Sequence, residues 1–172
     1  SINRDDRKIG YMYIWQMWIF GHVIIGRTWD EYKQTIATLQ AHFAPNILPI
    51  YIHYLGYEFQ FLSKLHNWDE VFCTGPRTPV RARTGNIEFR DSLVLSGLKL
   101  ANLPTDTKKL VGDLDYEIIR NPTTPLTEKE IDYCVNDVVV LAEYITKKLG
   151  KDTMATIPMT RTGYVRRDVR ER

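Results

Sequence analysis

TEKEIDYCVNDVVVLAEYITKKLG, residues 127–150, carries its own start and stop signals. Thr127 followed by Glu130 is a capping box, in which a hydroxyl and a carboxylate each satisfy the other residue's backbone amide, and Gly150 suits a left-handed terminator. The stretch predicts a helix over 128–149. Within it Ile131, Cys134, Val138, Leu141, Ala142, Ile145 and Leu149 recur at spacings of three and four, an apolar stripe that faces a core. Tyr133 and Asp137 lie one turn apart on a neighbouring face. A carboxylate beside a buried stripe is costly unless a charged or polar group meets it. A metal ion, a nucleotide or a neighbouring Arg would serve, while most isolated pairs of this kind on helices are structural, solvated or salt-bridged at an edge.

Working outward, Thr28 with Glu31 makes a second capping box, followed by Trp29, Tyr32, Ile36, Leu39 and Phe43 at helical spacing. This predicts a helix that stops before Pro45. Residues 11–20 (YMYIWQMWIF) and 22–26 (HVIIG) are aromatic and β-branched around Gly21 and read as a β-hairpin. ILPIYIHYL, residues 47–55, is short and apolar and predicts a buried strand, and residues 57–68 predict a helix with Glu58 near its start. Val80–Thr84 and Ile87–Asp91 flank Gly85-Asn86, a second hairpin signal. Residues 92–116 read as loops with one short helix near 105–110. The sum is a mixed α/β domain, in which Glu58 at a strand end and Asp137 on the last helix are partners across one cleft.

The 172 residues, 44% hydrophobic and 26% charged, amount to one domain (1–150) with a tail (151–172). The longest apolar stretch, Tyr11 to Gly26, is broken by Gln16, Gly21 and His22 and does not predict a membrane span. Cys73 and Cys134 stand far apart, without zinc-ligand spacing or a disulfide framework, and fit a reducing, cytoplasmic setting. The net charge of +2 is unevenly placed. The tail carries Lys151, Arg161, Arg166, Arg167, Arg170 and Arg172 against Asp152, Asp168 and Glu171, while residues 1–150 are nearly balanced. Such a segment is either a phosphate-tracking arm or a solvated linker.

Four segments point further: His53-Tyr54-Leu55-Gly56-Tyr57-Glu58-Phe59, Arg90-Asp91-Ser92-Leu93, Gly112-Asp113-Leu114-Asp115-Tyr116 and Tyr133-Cys134-Val135-Asn136-Asp137. In this order and spacing the chain resembles the 3′–5′ exonuclease domain of protein-primed family B DNA polymerases of phage and plasmid type. The resemblance implies a ribonuclease H-like fold with a mixed sheet flanked by helices, and two-metal hydrolysis, with Mg²⁺ or Mn²⁺, of a single-stranded 3′ end. It implies catalytic roles for Glu58, Tyr133 and Asp137, with Glu58 and Asp137 as metal ligands and the Tyr133 hydroxyl orienting the attacking water. Tyr57, Ser92, Leu93 and Tyr116 fall where the family contacts single-stranded substrate. The basic tail would lead toward the polymerase domain of the parent DNA-directed DNA polymerase, working in a bacterial or phage-infected cell, with a terminal protein as a further partner.

Departures accompany these matches. The family's first motif, Asp-Xaa-Glu, has no counterpart in Asn3, Arg4, Asp5 and Asp6. Tyr54 stands where an Asn is usual, and Val111 where a supporting lysine often precedes the Gly-Asp element. Two divalent ions about 4 Å apart need several carboxylates to offset their mutual repulsion, so the expectation is an incomplete metal site and little nuclease activity in these residues. A non-catalytic module that binds single-stranded DNA or a protein on a degenerate exonuclease fold is the alternative.

Overall fold

In the computed structural model, which describes residues 2–4, 7–111 and 118–170, both capping boxes form. Thr28 starts α1 (Trp29–Phe43) and Thr127 starts α4 (Glu128–Leu149), each with its reciprocal hydroxyl and carboxylate bonds in place. The two predicted hairpins are also present, as β3 (Trp15–Ile19) with β4 (His22–Gly26) and as β7 (Pro79–Thr84) with β8 (Ile87–Asp91). Trp15 lies across Gly26, its strand partner, so closely that a Cβ there would meet the indole at 2.2 Å, and its Nε1 donates to the Thr28 carbonyl at 2.9 Å. The hairpin thereby leads into α1.

Strands β5 (Leu48–Ile52), β8, β7 and β6 (Glu70–Cys73) form a mixed four-stranded sheet in that order, β5 parallel to β8 and the others antiparallel. Alternation along the strands separates two cores. Leu48, Ile50 and Ile52 of β5 and Ile87 and Phe89 of β8 meet Tyr32, Ile36 and Leu39 of α1 and Leu55 and Leu62 of α2 (Leu55–Leu62). A second core joins Tyr51 of β5 to Leu95 of α3 (Ser92–Ser96), Val140, Tyr144 and Ile145 of α4, and Ile157. Helices therefore flank the sheet, as the mixed α/β reading requires.

Several expectations change. The strand at 47–55 is shorter, Leu48–Ile52, and half-buried rather than buried, because it lies at an edge of its sheet. The helix at 57–68 runs instead from Leu55 to Leu62, and Trp68 turns its indole N–H back to the Ser63 carbonyl. No helix forms at 105–110. Glu143 accepts from the Asp106 and Thr107 amides at 2.5 and 3.0 Å, while Asn136 accepts from Leu110 N and donates to Lys108 O, which removes the backbone groups a helix would use. The short helices of that region are α3 and a 3₁₀ turn at Leu100–Asn102. Gly150 follows α4 in right-handed geometry, φ −64°, not left-handed.

Three elements carried no sequence signal: the pair β1 (Ile2–Arg4) and β2 (Arg7–Ile9), and edge strand β6. In the segment read as a tail, residues 161–170 form helix α5 (Arg161–Arg170), whose Tyr164 packs on the second core. Arg90 reaches across from β8 to the Met154 carbonyl at 2.9 Å and holds the approach to α5 against the sheet. Among the described residues no helix is long and apolar enough to cross a membrane.

Candidate functional site

The parallel strands β5 and β8 end side by side, Ile52 opposite Asp91, and both strands lead into helices. Asp91, 4% exposed, caps both: Oδ1 accepts from Leu93 N at 2.7 Å and Oδ2 from Leu55 N at 3.1 Å. Burial pushes this carboxyl up, against the backbone amides that favour its charged form. One carboxylate thus fixes where α2 and α3 depart. Tyr54, which has no capping side-chain bond, sits at φ 68°, a left-handed conformation unusual for a bulky residue.

Between these helix starts His53 Nδ1 meets Ser92 Oγ at 3.0 Å, and Ser92 Oγ donates to the Ile52 carbonyl at 3.3 Å. The Ser92 hydroxyl has one hydrogen for the two contacts, so the imidazole proton sits on Nδ1 when that hydrogen goes to Ile52 and on Nε2 when it goes to His53. Burial, and then the charge of Lys109, bring His53 down to about 4, so the ring is neutral at neutral pH.

Lys109 is the residue that connects this corner to α4. Its Nζ donates to Tyr133 Oη at 3.0 Å and to Asp137 Oδ1, and lies over the Tyr133 ring at 4.4 Å from the centroid. Burial pulls the ammonium down, but the bonds to Asp137 and Tyr133 outweigh it and the group stays charged. Asp137 is pushed up by burial, with Lys109 opposing. Asn136 aims the lysine, because its side-chain amide holds Leu110 N at 2.7 Å and Lys108 O at 3.0 Å, the peptide groups on either side of Lys109.

Three of the four sequence segments therefore come together: His53, Ser92 and the Tyr133–Asp137 pair, joined through Lys109. Lys109 was missed in the sequence because only position 111 was weighed as the lysine before the Gly-Asp element. The Lys108-Lys109 doublet just upstream was the available signal. The fourth segment, with Asp113 and Tyr116, lies outside the described residues.

Glu58 stands in the first turn of α2, half-buried, with no hydrogen bond or ion pair among the described residues, and burial alone raises its carboxyl. Ser92 is fully buried and Leu93 half-buried at the start of α3. Tyr57 is 53% exposed and stacks with Tyr54, 55% exposed, at 6.1 Å between ring centroids, an aromatic surface beside the corner.

Whether these groups suit divalent cations can be tested on their donors. Among the described residues no three of His, Cys, Asp and Glu gather in one place. Asp137 already carries an ammonium, and the charges acting on Glu58 and on Asp137 do not include each other. As arranged, the described residues do not supply the donor set of a two-metal centre.

No protein-family profile and no curated protein matches the chain. Solved structures do. Phi29 DNA polymerase complexed with primer-template DNA and incoming nucleotide substrates matches with a TM-score of 0.60 at 21% identity, over 77% of this chain and 27% of the polymerase. Phi29 DNA polymerase complexed with single-stranded DNA matches at 0.60 and 21%, over 81% of this chain. The chain spans about a quarter of the polymerase's length. Phi29 DNA polymerase is a protein-primed family B polymerase, so the likeness in fold falls on the same group of enzymes that the four sequence segments resemble.

Proposed function

We propose that this chain is the 3′–5′ exonuclease domain of a protein-primed family B DNA polymerase, ribonuclease H-like in fold, and that the corner between β5, β8 and α4 receives a single-stranded 3′ end. The observation that carries this reading is that His53 meets Ser92 at the C-terminal ends of the parallel strands and feels the charge of Lys109, which itself bonds Tyr133 and Asp137. Tyr54 and Tyr57 offer exposed ring faces beside it for a terminal base, since stacking on aromatics is how single strands are held without sequence preference. Lys109 supplies positive charge for a phosphate, and Asn136 holds its backbone. Among the described residues Glu58 is a carboxylate with no hydrogen bond or ion pair.

The Lys109–Asp137 pair favours a specific form of this reading: the described residues bind the strand but hydrolyse it little. Incubating a 3′-labelled single-stranded oligonucleotide with the chain and Mg²⁺ or Mn²⁺ tests it. The expected result is binding without shortening. Degradation that disappears in Asp137→Ala would overturn the inactivity, and absence of any single-strand binding would overturn the functional reading itself.

A further inference from the structure

The C-terminal half of α4, helix α5 and Pro104 line an open cavity of about 360 Å³ that none of the candidate-site residues lines. Its charge is unbalanced. Lys147, Lys148, Lys151 and Arg167 face it against Asp152 and Asp168. Asp152 is occupied by Arg167 at 2.5 Å, and Lys147 by Asp106 and Glu143, each at 3.2 Å. Lys148 and Lys151 have no carboxylate partner among the described residues. The Lys148 ammonium instead lies 4.8 Å from the Tyr164 ring centroid and 5.2 Å from that of Tyr144. Tyr164 Oη is buried beside Asp152, and burial, then the charge of Asp152 and a hydrogen bond to it, push the phenol up to about 12. Four cationic side chains against two carboxylates, with two of the ammoniums lacking a carboxylate partner among the described residues, are the fittings of an anion site.

We infer that this cavity takes a phosphate of the single strand whose end lies at Asp137, making it a second contact on α4. The inference rests on the functional reading above. Helical geometry supports the link: Lys148 follows Asp137 by eleven residues, about three turns, which puts it on the same side of α4 and roughly 16 Å further along. Lys148 and Arg167 both approach the Tyr164 ring, the latter at 5.1 Å, which leaves the ring occupied and selects backbone rather than base as the part of the ligand that enters.

The test measures affinity of the chain for a labelled short oligothymidine by fluorescence anisotropy across a range of salt. Lys148→Ala with Lys151→Ala should weaken binding about tenfold at low salt. It should also flatten the dependence of log affinity on log salt by about 0.7, the contribution of one neutralised phosphate of a single strand. Inorganic phosphate that displaces the oligonucleotide at matched ionic strength would assign the cavity to a terminal or free phosphate, and no displacement would assign it to a phosphodiester. Unchanged affinity and slope in the double variant, while Tyr57→Ala weakens binding, overturn the cavity site and leave the functional reading standing. No binding by the native chain overturns both.

Discussion

Helices α1 and α4 open with the same Thr-Xaa-Xaa-Glu box, yet they differ in how their faces are used. In α1 the buried residues Tyr32, Ile36 and Leu39 lie on one apolar stripe against one core. In α4 the buried residues are Glu130, Cys134, Val140, Tyr144 and Ile145, and Ile131 is 37% exposed. At 100° per residue the buried arc of α4 is rotated by roughly 70° from the one its aliphatic residues outline, and Tyr133 and Asp137 fall inside it. The rotation is tolerable because each polar group it takes inward meets a partner: Glu130 meets Arg120 Nε at 2.6 Å, and Asp137 meets Lys109. A helix with one apolar neighbour adopts the face its side chains specify. A helix that also carries polar groups into a cleft adopts the face that tertiary ion pairs make affordable.

The largest test of this contrast is Ile36→Ala, which leaves a cavity in the α1 core and should cost about 2–5 kcal/mol in urea unfolding. Next, Lys109→Ala strands a half-buried Asp137 and should cost about 1–3 kcal/mol. The same variant is expected to move His53. The imidazole lies below its ordinary 6.5, at about 4, so the unfolded chain takes up its proton first and stability falls as pH drops from about 6.5 toward 4. Removing the Lys109 charge should raise the His53 midpoint in an NMR titration and shrink that fall. An unmoved midpoint would separate Lys109 from the His53–Ser92 corner.

Smaller effects sharpen the comparison between the two caps. Thr28→Ala at an exposed box should cost about 0.5–1 kcal/mol, and Thr127→Ala about 1–2 kcal/mol, because Glu130 is 7% exposed and would lose a hydroxyl partner in a buried setting. Equal costs would count against the tertiary support assigned to the α4 box. The smallest expected change is Ile131→Ala, within about 0.5 kcal/mol. A cost of several kcal/mol there would restore the apolar stripe as the buried face of α4.

Features set by neighbouring residues were legible in the sequence. Thr28 with Glu31, Thr127 with Glu130 and Gly85 with Asn86 act within a few residues of themselves, and each produced the expected element. The segment at 105–110 was not legible, because its backbone is claimed by Asn136 and Glu143, some thirty residues on. Edge strand β6 was missed for a related reason: Glu70–Cys73 is exposed throughout and held by pairing with β7, so its residues carry no inward pattern. At the candidate site the sequence singled out Tyr133, Asp137 and Glu58, but Lys109 became recognisable only where the fold placed it.

By itself, then, the sequence determined the starts of the two long helices, both central hairpins, the mixed α/β class and the resemblance that names a family of polymerases. These depend on hydrogen bonds and side-chain spacings that are local along the chain. Only the tertiary structure decided which face of α4 is buried, that Lys109 meets Asp137, and that Glu58 has no hydrogen bond or ion pair among the described residues. Those outcomes depend on desolvation and on charges from segments distant in sequence, which no local pattern encodes.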